Sequence, residues 1–368
     1  MNVRGRRTRI VLILFLLLPI GFGIVQVGRY LQALHDFHQA QHALEQRDFA
    51  QAQARLARCL EFWPSDTETC FLAAQTARRR GAGEEAAHLL RRYRELGGVP
   101  EALDVELRLL RLQSGDLRES SRYLSYCTDH PDSPQSGFLL EALIQGGIRV
   151  GDLPLANTAT ELWLKHFQNT PDQIQGWVWR GDCARRRGDM EETQSAYRRA
   201  LELDENQEQA RLGLAESLIR QAPQEALRHL ERLHQRQPND RAIRLHLARC
   251  RRCLGELDEA IRLLDGLLQE MPDDVPALLE RGRVALDLGQ EEQAERLFRQ
   301  AQTLAPDQRD PTLMLARCLR LRNKNTEAKQ LEVRLEEINA RLKRNTERLL
   351  REGRLPSPQK IESGLPIE

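Results

Sequence analysis

Apolar residues along this chain follow two periods at once. One is the alternating four- and three-residue step of a helix stripe; the other is a slower step of 34 residues that brings the whole stripe back. The stretch LGELDEAIRLLDGLLQEMPDD at 254–274 returns as LGQEEQAERLFRQAQTLAPDQ at 288–308. Pro238, Pro272 and Pro306 keep the same step, and so do Ala248, Gly282 and Ala316, and Ala260, Ala294 and Ala328. Within one copy the stripe reads Ala260, Leu264 and Leu267, or Ala294, Phe298 and Ala301, which places one apolar face on a helix. A unit this small cannot bury that face alone and must lean on its neighbours. The period therefore predicts an all-α fold of stacked helical repeats.

Glycine and proline mark the joints. Counted from Pro64 through Gly81, Gly115, Gly151, Gly188, Gly255 and Gly289, about nine units start near 33, 67, 101, 137, 174, 208, 241, 275 and 309. Each reads as helix, short turn, helix. A small residue at the eighth position (Ala40, Ala74, Gly181, Ala215, Ala248, Gly282, Ala316) lets the two helices approach closely. The glycine near position fifteen, followed by Asp at 116, 152 and 189, ends the first helix because glycine reaches positive φ cheaply. Proline then closes the unit. The units at 101 and 137 depart from the pattern, with Arg108 and Ile144 in the small-residue slot, and residues 164–173 are an insertion.

The segment WVWRGDCARRRGDMEETQSAYRRALELDE at 177–205, with Trp177, Gly181, Tyr197 and Ala200 in place, resembles the tetratricopeptide repeat, and the resemblance extends over residues 33–342. It implies a right-handed α-solenoid whose concave groove is lined by positions 2, 5, 9 and 12 of each first helix. A charged helix runs on to about Arg351, so residues 343–352 extend a polar cap of the kind a repeat stack needs, and the tail at 353–368 is expected to be disordered.

At the other end, a basic segment at 1–9 runs into the apolar run IVLILFLLLPIGFGIVQV at 10–27. Eighteen helical residues reach roughly 27 Å, close to the hydrocarbon thickness of a bilayer. Arg4, Arg6, Arg7 and Arg9 precede the run and a single Arg29 soon follows, so the positive-inside rule keeps the N-terminus in the cytoplasm. A signal anchor over 10–27, followed by a juxtamembrane link at 28–32, would make this a single-pass protein of a bacterial-type inner membrane, with its repeats outside the cytoplasm. A cleavable signal peptide cut near Gly21–Gly23 is the competing reading.

The remaining composition narrows the chemistry. A net charge of +1 on 368 residues gives no bulk reason to expect nucleic acid as a partner. Seven cysteines cannot all pair. Cys59 and Cys127 fall at position 27, and Cys183, Cys250 and Cys318 at position 10, where small buried residues recur, so they read as packing. The CRRC at 250–253 lies within a helix and lacks the βαβ setting of a redox motif. His130-Pro131-Asp132 sits where a repeat ends, without the rest of a J-domain. His35, His38 and His42 share a helical face that could hold a metal, but Asp36 points elsewhere and the face reads as solvated. No Walker loop, HExxH or GxSxG occurs. The repeats leave no room for a catalytic domain, so neither enzyme activity, cofactor nor small-molecule substrate is expected.

Function should then reside in the groove. By the resemblance, its fifth-position residues are Leu212, Leu245, Leu279 and Leu313, its ninth-position cations Arg249, Arg283 and Arg317, and its twelfth-position cations Arg252 and Arg320. Leucine beside arginine suits an acidic, partly hydrophobic peptide, whose carboxylates arginine can grip bidentately. The opposing reading has these arginines bridging to acids of neighbouring repeats. The sequence thus predicts a membrane-anchored scaffold for a protein or peptide partner, or alternatively an assembly chaperone or accessory subunit of an envelope machine serving secretion, cytochrome maturation or polysaccharide synthesis.

Overall fold

The computed structural model describes residues 26–351. Among these, the chain forms eighteen helices and no strand, divided between Asp116 and Leu117 into two compact units. The first unit holds α1 (26–45), α2 (Phe49–Phe62), α3 (Thr67–Arg79), α4 (Gly83–Glu95) and α5 (Pro100–Ser114). The second holds α6 (Ser120–Asp129), α7 (Pro134–Val150), α8 (Leu153–His166), α9 (Asp172–Arg187), α10 (Met190–Leu203), α11 (Glu208–Leu218), α12 (Pro223–Arg236), α13 (Arg241–Cys253), α14 (Leu257–Glu270), α15 (Val275–Asp287), α16 (Glu291–Leu304), α17 (Arg309–Leu321) and α18 (Asn325–Arg351). The first helices of the units expected from position 67 onward begin within three residues of their expected starts.

The joints follow from their residues. Gly81, Gly115, Gly151, Gly188, Gly255 and Gly289 all take φ between 70° and 103°, the left-handed region that lets a first helix stop without a Cβ clash. The aspartate after the glycine has a separate task at two joints: Asp152 and Asp189 accept from the backbone N–H of Leu155 and Glu192, capping α8 and α10. Asp66, Asp240 and Asp274 cap α3, α13 and α15 in the same way.

Each unit stacks its own core. In the first, Ala40, Leu56, Cys70, Ala73, Ala74, Ala77 and Leu90 are buried together. Arg78 is also buried there, with Nε donating to Glu106 Oε2 at 2.8 Å and the Gln113 side chain donating back to the Arg78 carbonyl at 2.6 Å. Both partners lie on α5, so this charge is fully answered within the unit. In the second unit successive helices from α6 to α18 pack on one another, and the first helices also touch: α7 meets α9, α9 meets α11, α13 meets α15, and α15 meets α17. The step from α11 to α13 is made by Glu216 and His246, 2.7 Å apart, so the first helices from α7 to α17 line up along one face. At the far end of the stack, buried Glu295 on α16 accepts from Lys324 Nζ at 2.9 Å, from Arg299 Nε at 2.9 Å and from Arg322, tying α16 to the turn between α17 and α18.

The irregular units resolve physically. Ile144 is fully buried although the pattern asks for a small residue, and the close approach moves to Gly147, where an added Cβ would lie 3.1 Å from the Ala156 Cβ on α8. Arg108 is simply exposed. The insertion becomes the turn from α8 to α9, in which Asn169 takes φ 63° and Trp163 donates from Nε1 to the Asp172 carbonyl at 2.8 Å. The expected link at 28–32 is helical, part of α1. The expected anchor at 10–27 lies outside the described residues but for its last two positions, as does nearly all of the expected tail. Among the described residues no helix is long and apolar enough to cross a membrane.

Candidate functional site

The face built by the first helices of the second unit holds an open cleft of about 820 Å³. Its wall is cationic: Arg185, Arg220, Arg249, Arg252, Arg283 and Arg317 line it, against only Glu216 and Glu280 as acids. The 34-residue step is what assembles this wall, since Arg249, Arg283 and Arg317 occupy the same position on α13, α15 and α17. Ile219, Met190 and Met314 supply its apolar contacts.

The expected leucine track is not there. Leu245 and Leu279 are buried, 6% and 7% exposed, inside the cores between helices. Leu212 is half-buried against the cluster around Tyr197 and Leu214, and Leu313 is half-buried without reaching the cleft wall. The fifth position is the side chain each first helix turns toward its neighbour, so it serves the stack. Arg320 also lies off the wall, paired with Glu332 at 2.5 Å.

The predicted arginines divide into two kinds. Glu280, 2% exposed, is shared: Arg249 Nε donates to its Oε1 at 2.7 Å, Arg283 donates to the same oxygen, and Arg252 Nε stands 3.6 Å from Oε2. Arg252 also donates to Asp287 at 3.0 Å. Arg249 and Arg252 thereby brace α13 to α15, as the opposing reading of the sequence required, while Arg283 pairs with Glu280 within α15. Arg317 and Arg220 are exposed on the wall and form no ion pair among the described residues. Positions 220 and 185 were missed by a reading confined to the ninth and twelfth slots of the later repeats. Arg185 occupies the twelfth slot of its own repeat, so the signal was present.

At the cleft's other end, His246 Nε2 lies 2.7 Å from Glu216 Oε1, and Arg185 lies 3.5 Å from Glu216 Oε2. Burial alone would raise the Glu216 carboxyl, but the His246 hydrogen bond and the fields of His246, Arg185 and Arg249 outweigh it and hold it below its ordinary range. Glu216 is therefore an anion at neutral pH, already engaged. Free cationic capacity is concentrated at Arg220 and Arg317.

Cys253 lies on the wall and is the one exposed cysteine of the seven, all of which are free thiols. Cys250, three residues away, is buried and donates to the Pro223 carbonyl at 3.1 Å, and burial pushes its thiol up to about 11. Burial likewise pushes Cys59 and Cys127 to about 11 and Cys183 to about 12. His35, His38 and His42 are exposed on α1, while Asp36 is buried and accepts from Arg55 at 2.6 Å. No group of three metal-ligating side chains occurs among the described residues.

Residues 164–278 match the family described as the cytochrome c-type biogenesis protein H TPR domain. Residues 251–311 and 37–100 each match a tetratricopeptide repeat family. Among solved structures the chain is similar to the APC/C heterotetramer Cut9–Hcn1, at 16% identity and a TM-score of 0.56, covering 74% of this chain and 52% of that one. It is also similar to PilW, a type IV pilus biogenesis factor, at 18% identity and a TM-score of 0.47, covering 56% of this chain and 94% of that one. A third is a thermophilic tetratricopeptide protein of Thermus thermophilus, at 22% identity and a TM-score of 0.42, covering 45% of this chain and 90% of that one. A comparison with curated proteins finds no match. Three separate segments of the chain thus match tetratricopeptide-repeat families, in keeping with its all-helical repeat fold.

Proposed function

We propose that the cleft of the second unit binds an acidic, extended protein segment, and that residues 10–27 anchor the scaffold in a bacterial-type inner membrane with its repeats outside the cytoplasm. The observation that carries the reading is the surplus of arginine on a wall assembled from α9, α11 and the turn after it, α13, α15 and α17, with Arg220 and Arg317 in no ion pair among the described residues. A carboxylate meeting such a cation gains a charge-assisted hydrogen bond, while Met190, Ile219 and Met314 offer the apolar contacts. The arginines beside Glu280 hold the wall in place. No catalytic step enters this reading.

The test uses a labelled peptide of alternating glutamate and leucine. In the variant carrying Arg220→Glu and Arg317→Glu its affinity should fall by about 10-fold or more per lost contact, as expected for roughly 1.5–3 kcal/mol each. Both side chains are exposed, so helical content should be unchanged. Bound peptide should also slow alkylation of Cys253 in the unmutated chain. Unaltered affinity, or full Cys253 reactivity at saturating peptide, would place binding elsewhere.

A second reading is supported by the match at 164–278, which overlies most of the cleft-building helices. In it the scaffold is an accessory subunit in c-type cytochrome assembly. Deleting the gene should then deplete covalently haem-stained proteins from membranes, and an unchanged haem stain would remove this reading while leaving the cleft untouched.

A further inference from the structure

The first two turns of α1 expose Val27, Tyr30, Leu31 and Leu34, at the i, i+3, i+4 and i+7 spacing of one helix face. Tyr30 stands edge-on to Trp63 at 5.7 Å and to Phe62 at 6.4 Å between ring centroids, and Phe62 and Trp63 are 5.9 Å apart. The Arg29 guanidinium lies 6.0 Å from the centre of the Phe62 ring. Three aromatic rings and a cation therefore gather at one end of the first hairpin, where α1 begins and α2 ends. Tyr30 is half exposed, an unusual place for so much ring surface unless something meets it.

What meets it is indicated by chain position. The apolar run of residues 10–27 ends at Val27, and Tyr30 lies three residues, about 4.5 Å of helix, farther on. The headgroup layer on each side of a bilayer's hydrocarbon is about 5–7 Å thick. On the membrane reading, an eighteen-residue helical span would reach roughly 27 Å, slightly short for a hydrocarbon core of about 30 Å, and such a mismatch would draw the flanking residues toward the bilayer. The stripe from Val27 to Leu34 continues the apolar surface past the end of the run on one side of the helix only. Tyrosine and tryptophan join an apolar body to a polar edge, which is the composition of interfacial belts, and Arg29 suits lipid phosphate.

We infer that this end of the first hairpin lies in the headgroup layer of the bilayer, with Tyr30, Phe62 and Trp63 as an interfacial anchor that seats the first unit on the membrane surface. The inference rests on the membrane reading proposed above. The test takes the full chain reconstituted in phosphatidylcholine vesicles whose acyl chains carry bromine either near the headgroup or near the bilayer centre. Four tryptophans are present, at 63, 163, 177 and 179, so the Trp63 signal is the difference between the unmutated chain and Trp63→Phe. Most of that difference emission should be lost with shallow bromine and little of it with deep bromine. A chain that floats with the vesicles and resists alkaline wash, yet shows no Trp63 quenching, would overturn the interfacial seat and leave the anchor standing. A chain released by alkaline wash would overturn both. A second variant, Tyr30→Ser with Leu31→Ser, should reduce the shallow quenching of Trp63 without releasing the chain; unchanged quenching would also count against the seat.

Discussion

Replacing Gly282 by alanine should destabilise the second unit by about 2–3 kcal/mol, even though alanine is the better helix former by about 1 kcal/mol. A Cβ at this position would lie 2.4 Å from Phe298 Cε1, 2.7 Å from Cζ and 2.8 Å from Cδ1. Those distances are far inside van der Waals contact. The Phe298 ring cannot swing away, because it is fully buried among Leu278, Ala285, Ala294, Leu315 and Leu319. Two other glycines face one ring in the same manner: Gly181 and Gly213 would each put a Cβ within 2.5 Å of Tyr197. Urea unfolding of Gly282→Ala followed by helical signal measures the loss. Adding Phe298→Leu should recover part of it, since the two sites share a contact and their effects should not add. A Gly282→Ala chain as stable as the unmutated one would show that the ring yields cheaply and that the small-residue rule at position eight is not steric.

Glu295→Gln should cost about 3 kcal/mol at neutral pH, and the cost should vanish in acid. Burial raises the Glu295 carboxyl, but hydrogen bonds from Lys324, Arg299 and Arg322 outweigh that and bring it to about 2, from an ordinary 4.5. A carboxylate whose folded value is depressed contributes stability above its unfolded value and loses it as pH falls through the folded one. By linkage, a shift of this size is worth about 3 kcal/mol. The stability difference between the two chains should therefore be full above pH 4.5 and shrink between there and about pH 2. Urea unfolding at several pH values reads it directly. A difference independent of pH would assign the effect to lost packing instead of charge.

The fold was legible because each of its rules acts within one repeat. Glycine at 81, 188 or 289 needs positive φ for its own turn, and Ala260, Leu264 and Leu267 need burial on their own helix, so a linear pattern exposes both. Ile144 could not be read this way, since its tolerance depends on Gly147 taking over the contact with α8. The division between Asp116 and Leu117 also left no mark that a 34-residue ruler detects. In the cleft, the ruler found Arg249, Arg252, Arg283 and Arg317 but misjudged the leucines. Position alone identifies which slots recur; whether a slot turns toward the groove or the neighbouring helix depends on how far each hairpin rotates against the next. Nor could spacing reveal that Arg249 and Arg252 reach from α13 to Glu280 on α15, because such ion pairing is decided by side-chain reach across two helices.

That convergence bears on selectivity. Glu280 is a resident carboxylate among the arginines of the wall, so on the proposed reading a visiting carboxylate near Arg249, Arg252 or Arg283 finds guanidinium groups already committed and meets an acidic neighbour. Small free anions such as chloride or acetate, which can occupy one place at a time, gain little there. An elongated polyanion can touch Arg220 and Arg317, whose repeats lie three steps apart, and pass over the resident acid with an apolar side chain. On the binding reading proposed above, the wall would discriminate by length and by the spacing of negative charge, a property that neither its net charge nor any single arginine possesses.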